Sequence, residues 1–164
     1  MRLNYRRLLK RISWGLLATG IIAGVIFAYL IMVIRYAETE TIALNNYRAS
    51  INAMPDVNAV HSVHRFNGLE SYIVAAVEYE SGDDVHFFIR DGAVQHFFFT
   101  NDLITEQVAM AIAQSQHPEG TIVNSQLGII FVTPIFEIQI EHENAVHYVV
   151  IDARTREIMM NFET

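Results

Sequence analysis

The stretch from Trp14 to Ile34 constrains this chain more than any other, because its 21 residues include no charged side chain. At about 1.5 Å per residue, a helix of this length matches the roughly 30 Å hydrocarbon core of a bilayer. The run is too long for the apolar core of a secretory signal peptide, and no small-x-small cleavage site follows it. We therefore predict a retained transmembrane helix at residues 14–34.

The charged residues differ in sign on the two sides of this span. Residues 1–35 carry five Arg, one Lys and no acid, whereas residues 36–164 carry five Arg and all 18 Asp and Glu, a formal charge of −13. The positive-inside rule keeps the basic tail at residues 1–13 in the cytoplasm. We therefore expect a single-pass protein of the cell membrane with an extracytoplasmic C-terminal region. That acidic region repels nucleic acid and anionic lipid, so we expect no nucleic-acid partner.

Periodicity predicts one helix and four antiparallel strands after the span. Leu44, Tyr47, Ile51 and Met54 form one apolar stripe of a helix at residues 35–54, which Pro55 ends. Alternating residues then predict strands at 57–66, 69–80, 85–90 and 93–99. Asn67-Gly68 and Asp91-Gly92 are strong hairpin signals between them.

The same order recurs in the second half of the chain. Thr105 is an expected N-cap for a helix that runs to about Gln116, and strands follow at 121–133, 135–143, 146–152 and 157–162. Residues 85–91 resemble residues 146–152 at an offset of 61, which indicates duplication of one unit. The prediction is an α+β protein with two repeats, at residues 35–100 and 101–164, each with one helix and about four strands.

Seven histidines raise the question of a metal site. His61 and His64 are three residues apart in a strand, so alternation predicts opposite faces. With Arg90 opposite Ala93, regular pairing also places His86 and His96 on opposite faces. On this basis we expect no metal ligand among them, and the simpler interpretation is polar strand residues.

The segment His142-Glu143-Asn144-Ala145-Val146-His147 resembles the zinc-protease motif H-E-x-x-H but has one residue too many. It also crosses a predicted turn, so the helical spacing that the motif needs is absent. We do not assign it a metal.

Catalytic signatures are missing from the sequence. There is no Cys and no G-x-S-x-G elbow, P-loop or dinucleotide motif. The acidic pair Glu78 and Glu80 alternates with apolar residues, which a solvated strand face explains. The motifs therefore predict no catalytic, cofactor-binding or metal-binding residues, no cofactor and no small-molecule substrate, and a hydrolase or metal-dependent enzyme is the alternative.

His96-Phe97-Phe98-Phe99 places aromatic residues on both faces of one strand. Regular pairing would put Phe88, Phe97 and Phe99 on a common face. We expect these rings to fill the junction between the two repeats, and an exposed patch for a partner is the alternative.

The layout as a whole resembles the TseB-like (YpmB-like) cell-wall-elongation regulators of Gram-positive bacteria, which have one anchor and two tandem PepSY-like (cystatin-like) repeats. The resemblance is carried by residues 69–74, 104–109, 148–152 and 155–158. The last two segments are similar to the Y-x-x-x-D-x-x-T-G-x-I ending of such repeats, with Arg156 in place of the usual glycine.

This resemblance implies a non-enzymatic membrane protein that acts outside the cell with a penicillin-binding transpeptidase of lateral peptidoglycan synthesis. PepSY-type domains are also proposed to restrain secreted proteases, so modulation or inhibition of an extracytoplasmic peptidase is the alternative. The family offers no motif residue with an assigned role, and none is carried over.

Overall fold

The computed structural model describes residues 5–143 and 145–164, and for residues 5–20 it describes only the helical backbone. The chain divides into two compact units, one ending at Ala43 and one from Leu44 to Thr164. A long helix, α1 (Tyr5–Asn52), supplies the first unit and continues into the second. The second unit adds a shorter helix and two antiparallel sheets, which confirms the predicted α+β class.

Helix α1 is long and apolar enough to cross a membrane. Between Ile21 and Asn52 it holds an 18-residue window with a mean hydropathy of 1.9, none of it buried inside the protein. Exposed apolar side chains over such a length favour a bilayer as their surroundings. The helix is continuous through Arg35, where we predicted the start of a second helix. Residues 14–20 of the predicted span lie outside the part whose side chains are described.

The last turns of α1 carry the predicted apolar stripe. Ile51 is 1 % exposed and packs in a cluster with strand residues, and Leu44, Tyr47 and Met54 lie against the same cluster. The helix ends at Asn52, shortly before Pro55, because proline disfavours helical geometry in the residue before it. The stripe prediction is therefore confirmed.

Sheet A has the strand order β1-β2-β3-β4 and is fully antiparallel. Its strands are β1 (Val57–Asn67), β2 (Ser71–Tyr79), β3 (Asp84–Arg90) and β4 (Ala93–Phe99). Asp91 and Gly92 have φ angles of 53° and 77°, which is the left-handed backbone of a two-residue hairpin turn. The β1–β2 connection is longer, since Asn67 pairs with Ser71.

A 3-10 turn (Thr100–Asp102) leads from sheet A to helix α2 (Glu106–Gln116). The Thr105 side chain accepts a hydrogen bond from the Val108 backbone N–H at 3.3 Å, which satisfies one of the free donors of the first helical turn. The predicted N-cap is therefore confirmed.

Sheet B has the order β5-β6-β7-β8 and is also antiparallel. Its strands are β5 (Thr121–Ile130), β6 (Thr133–His142), β7 (Ala145–Asp152) and β8 (Ile158–Glu163). The prediction that β5 continues to residue 133 was wrong, because the chain turns at Phe131, where φ is 56°. A left-handed phenylalanine is uncommon, so the sequence carried no turn signal there.

Two of the register shifts in sheet A change which histidine side chains share a face. In β1, Val60 pairs with Val77 and Ser62 with Ala76, so His61 is an extra residue. A bulge inserts one residue into one strand and reverses the alternation of faces beyond it.

The second bulge lies in β4. Arg90 pairs with Ala93 as predicted, but the register then shifts, and His86 pairs with Phe98 instead of Phe97. Phe88 pairs with His96, so His86 and His96 lie on the same face and the predicted opposition was wrong.

Two apolar clusters form the core of the second unit. One lies between the end of α1 and one face of sheet A, and the other joins the opposite face of sheet A to sheet B and α2. Phe66, 1 % exposed, lies in the joining cluster. A Cβ built on Gly128 of β5 would lie 2.3 Å from the Phe66 ring, so this close packing requires glycine.

Strands β3 and β7 each occupy the third position of their sheet, which agrees with the sequence repeat at an offset of 61. The boundaries of the two repeats, 35–100 and 101–164, stay a prediction.

Candidate functional site

A cleft of about 520 Å³ opens between sheet A, the segment that enters α2 and the outer strand β5. Because β5 lies at the edge of sheet B, side chains from both of its faces reach the cleft. Concave sites of this size with a partly apolar lining are typical of binding sites. The cleft is lined by Ser62, His64, His86, Thr100, Leu103, Ile104, Thr105, Glu106, Asn124, Ser125, Gln126, Leu127 and Phe136.

His64 connects the two sheets across the cleft. Its Nε2 atom lies 2.9 Å from the carbonyl oxygen of Leu127 in β5. A carbonyl only accepts, so Nε2 carries the proton and donates.

His86 lies on β3, on the cleft wall formed by sheet A. Burial lowers the pKa of this imidazole below its ordinary value of 6.5, and the neighbouring His64 lowers it further, whereas Asp84 opposes both effects. The cleft therefore favours neutral His86.

Ser125 gives the cleft an unpaired polar group. Its hydroxyl oxygen is buried and has no hydrogen-bond partner among the residues that the structure describes. A buried hydroxyl without a partner costs about 1–3 kcal/mol.

The cleft carries little formal charge. Among its described lining residues, Glu106 is the one Asp, Glu, Lys or Arg, and it lies in the first turn of α2. The cleft thus fits a neutral or weakly basic segment with apolar and hydrogen-bonding groups.

The aromatic strand β4 divides its rings between two faces, as predicted, but Phe98 shares the face of Phe88 in place of Phe97 and Phe99. Phe98 packs edge-on against buried Phe88 with ring centroids 5.7 Å apart, in the cluster that joins the sheets. Phe97 and Phe99 are 55 % and 41 % exposed, because the β4 bulge turns them to the other face of sheet A. The expectation that Phe97 and Phe99 fill the junction was wrong.

The β1 bulge also changes the position of His61. Its Nε2 lies 3.5 Å from a Glu78 oxygen and 3.5 Å from an Asp84 oxygen. Asp84 and His86 are two residues apart on β3 and share a face, and His86 lines the cleft with His64. His61 and His64 therefore lie on the same face, which corrects the prediction of opposite faces.

Three other histidines meet beside α2, an arrangement that the sequence did not show. The rings of His117 and His147 lie 4.2 Å apart, and those of His142 and His147 lie 6.3 Å apart. His117 follows α2, and the other two lie on either side of the β6–β7 turn. His142 and Ala145 pair across antiparallel strands and His147 lies on β7, so the two histidines do not have the helical spacing of H-E-x-x-H, as predicted.

No protein-family model matches the sequence, and no curated protein matches it. Two solved structures align with this chain. The YpmB protein from Bacillus subtilis aligns with a TM-score of 0.62 and 18% identity over 71% of this chain and 93% of that chain. A protein provisionally described as a lipoprotein from Clostridium difficile 630 aligns at 0.42 and 14% identity over 76% of this chain and 91% of that chain. The first comparison confirms the YpmB-like fold that the sequence predicted.

Proposed function

We propose that this chain, which has a YpmB-like fold, is a non-enzymatic regulator of cell-wall elongation in a Gram-positive bacterium, anchored in the cell membrane. Its N-terminus would lie in the cytoplasm and its two PepSY-like repeats outside. The apolar part of α1 supports the anchor, and the basic tail supports the orientation. The family resemblance supplies the partner, a penicillin-binding transpeptidase of lateral wall synthesis.

The cleft between the two sheets is the observation that carries a binding role. It offers polar side chains such as Asn124, an apolar lining that includes Leu103 and Phe136, and little formal charge. Such a site holds an extended segment by pairing its backbone groups while its apolar side chains leave water. We assign this cleft to a segment of the transpeptidase. The formal charge of −13 on residues 36–164 favours a neutral or basic segment.

The experiment is a pull-down of the full chain from crosslinked cells, with identification of the captured proteins. Asn124 is exposed and lines the cleft, so Asn124→Trp should fill the cleft without disturbing the core. Val123 is 52 % exposed, neighbours Asn124 and does not line the cleft, which makes Val123→Trp the matched control. We expect the parent chain and Val123→Trp to capture the transpeptidase, and Asn124→Trp to lose it.

Capture of no transpeptidase, together with normal cell width and normal sensitivity to wall antibiotics after deletion, would overturn this proposal. Capture of a secreted protease instead would favour the alternative, a modulator or inhibitor of an extracytoplasmic peptidase. Addition of the purified chain to that protease would then test inhibition directly.

A further inference from the structure

Three side chains from neighbouring strands of sheet A direct metal-binding atoms toward one point. His61 on β1, Glu78 on β2 and Asp84 on β3 each offer one ligand atom, and all three atoms lie within 4.8 Å of one another. We propose that these residues bind one divalent ion of the zinc class. This site is distinct from the cleft in its residues and is independent of the proposed function.

The two distances from His61 match those around an ion, and the Glu78 and Asp84 oxygen atoms lie within 4.8 Å of each other. His61 Nε2 lies 3.5 Å from Glu78 Oε2 and 3.5 Å from Asp84 Oδ1. Zinc with ligands at about 2.1 Å in tetrahedral geometry separates its ligand atoms by about 3.4 Å. Two carboxylates and one neutral imidazole also carry the charge that balances a dication. Three protein ligands leave at least one position open for water or for a donor atom of a partner.

Two contacts outside the ligand set hold the site in place. The Asn58 side-chain amide donates to Glu78 Oε1 at 2.8 Å, which leaves Oε2 directed at His61. The Arg48 guanidinium donates to the carbonyl of Val60 at 3.0 Å, at the bulge that displaces His61. Partners that fix ligand orientation strengthen metal binding.

The ligand types decide which ions should bind. An imidazole nitrogen with two carboxylate oxygens suits Zn²⁺ or Co²⁺, whereas Ca²⁺ and Mg²⁺ prefer oxygen ligands alone and more of them. The His61 and Asp84 side chains are 52% and 56% exposed, so an ion can enter without opening the fold.

The test is Zn²⁺ binding to the full chain in detergent micelles after treatment with a chelator. Competition with a chromophoric chelator gives stoichiometry and affinity, and Co²⁺ absorption reports ligand type. We expect one equivalent of Zn²⁺, a loss of affinity of about tenfold or more in His61→Ala and in Asp84→Asn, and no competition from equal Ca²⁺. Exposed side chains make both variants compatible with folding, which thermal unfolding checks.

His142→Ala is the matched control, because His142 also lies beside a carboxylate, with Nε2 3.9 Å from Glu143. This variant should keep the parent affinity. The absence of stoichiometric Zn²⁺ binding at micromolar concentrations would overturn the proposal, and so would unchanged binding in His61→Ala. Loss of binding in His142→Ala would also overturn it, because the metal would then belong to the cluster of His117, His142 and His147. Equal affinity for Ca²⁺ would also overturn it.

Discussion

The packing of Phe66 on Gly128 leads to a quantitative prediction about how the two sheets hold together. In Gly128→Ala the new Cβ would lie 2.3–2.4 Å from three atoms of the Phe66 ring. Carbon atoms pack best at about 3.5–4.0 Å, so the ring or strand β5 must move by roughly 1.2 Å. Phe66 is 1 % exposed and has no room to move freely. Overpacking of this kind costs about 1–3 kcal/mol, and we expect the upper half of that range.

The assay is thermal unfolding of the full chain in detergent, followed by the β-sheet circular dichroism signal. A loss of about 2–3 kcal/mol should lower the Tm by about 6–12 °C. Phe66→Ala alone should cost about 3–5 kcal/mol, because it leaves a cavity. In that background the methyl group added at position 128 points into the cavity, so Gly128→Ala should become neutral or stabilising. The double-mutant cycle should then give a coupling of about 2 kcal/mol or more.

An unchanged Tm in Gly128→Ala would show that the added Cβ does not clash with the Phe66 ring. So would an equal loss from Gly128→Ala with and without Phe66, since the cost would then come from the strand itself. Either result would mean that Phe66 does not pack against β5 and does not help to join the two sheets.

Three further predictions follow from single contacts. Burial and His64 lower the His86 pKa, so the unfolded chain binds a proton at this histidine at a higher pH than the folded chain does. The free energy of unfolding should therefore fall as pH drops below 6.5. Urea titrations should show a weaker pH dependence in His86→Gln. Thr105→Ala should lose about 1 kcal/mol in the same titrations, whereas Thr105→Ser keeps the cap. The Gln114 amide donates to the carbonyls of His117 and Gly120, both at 2.8 Å, so Gln114→Ala should cost about 1–2 kcal/mol and speed amide exchange after α2.

Local patterns in the sequence predicted most of the fold. Short local signals predicted two features correctly. Asp91-Gly92 predicted a hairpin turn, and Thr105 predicted the start of helix α2. The apolar run predicted the exposed apolar part of helix α1. The stripe that includes Ile51 predicted the part of the helix that packs against sheet A. The repeat at an offset of 61 matched equivalent strands of two sheets.

The candidate sites could not be predicted, for physical reasons. A bulge such as that at His61 adds one residue with no compositional signal, yet it changes which side chains share a face. The unpaired hydroxyl of Ser125 and the meeting of His117 with His147 depend on contacts between distant segments. Strand alternation predicts neither feature.

Site-specific photo-crosslinking in living cells tests the central claim most directly. A photoreactive side chain placed at Asn124, on the cleft, is compared with one at Val123, the exposed neighbour outside the cleft. We expect that position 124 forms a crosslink to a penicillin-binding transpeptidase and that position 123 does so much more weakly. A crosslink of equal yield at both positions, or none to a transpeptidase at position 124, would contradict it.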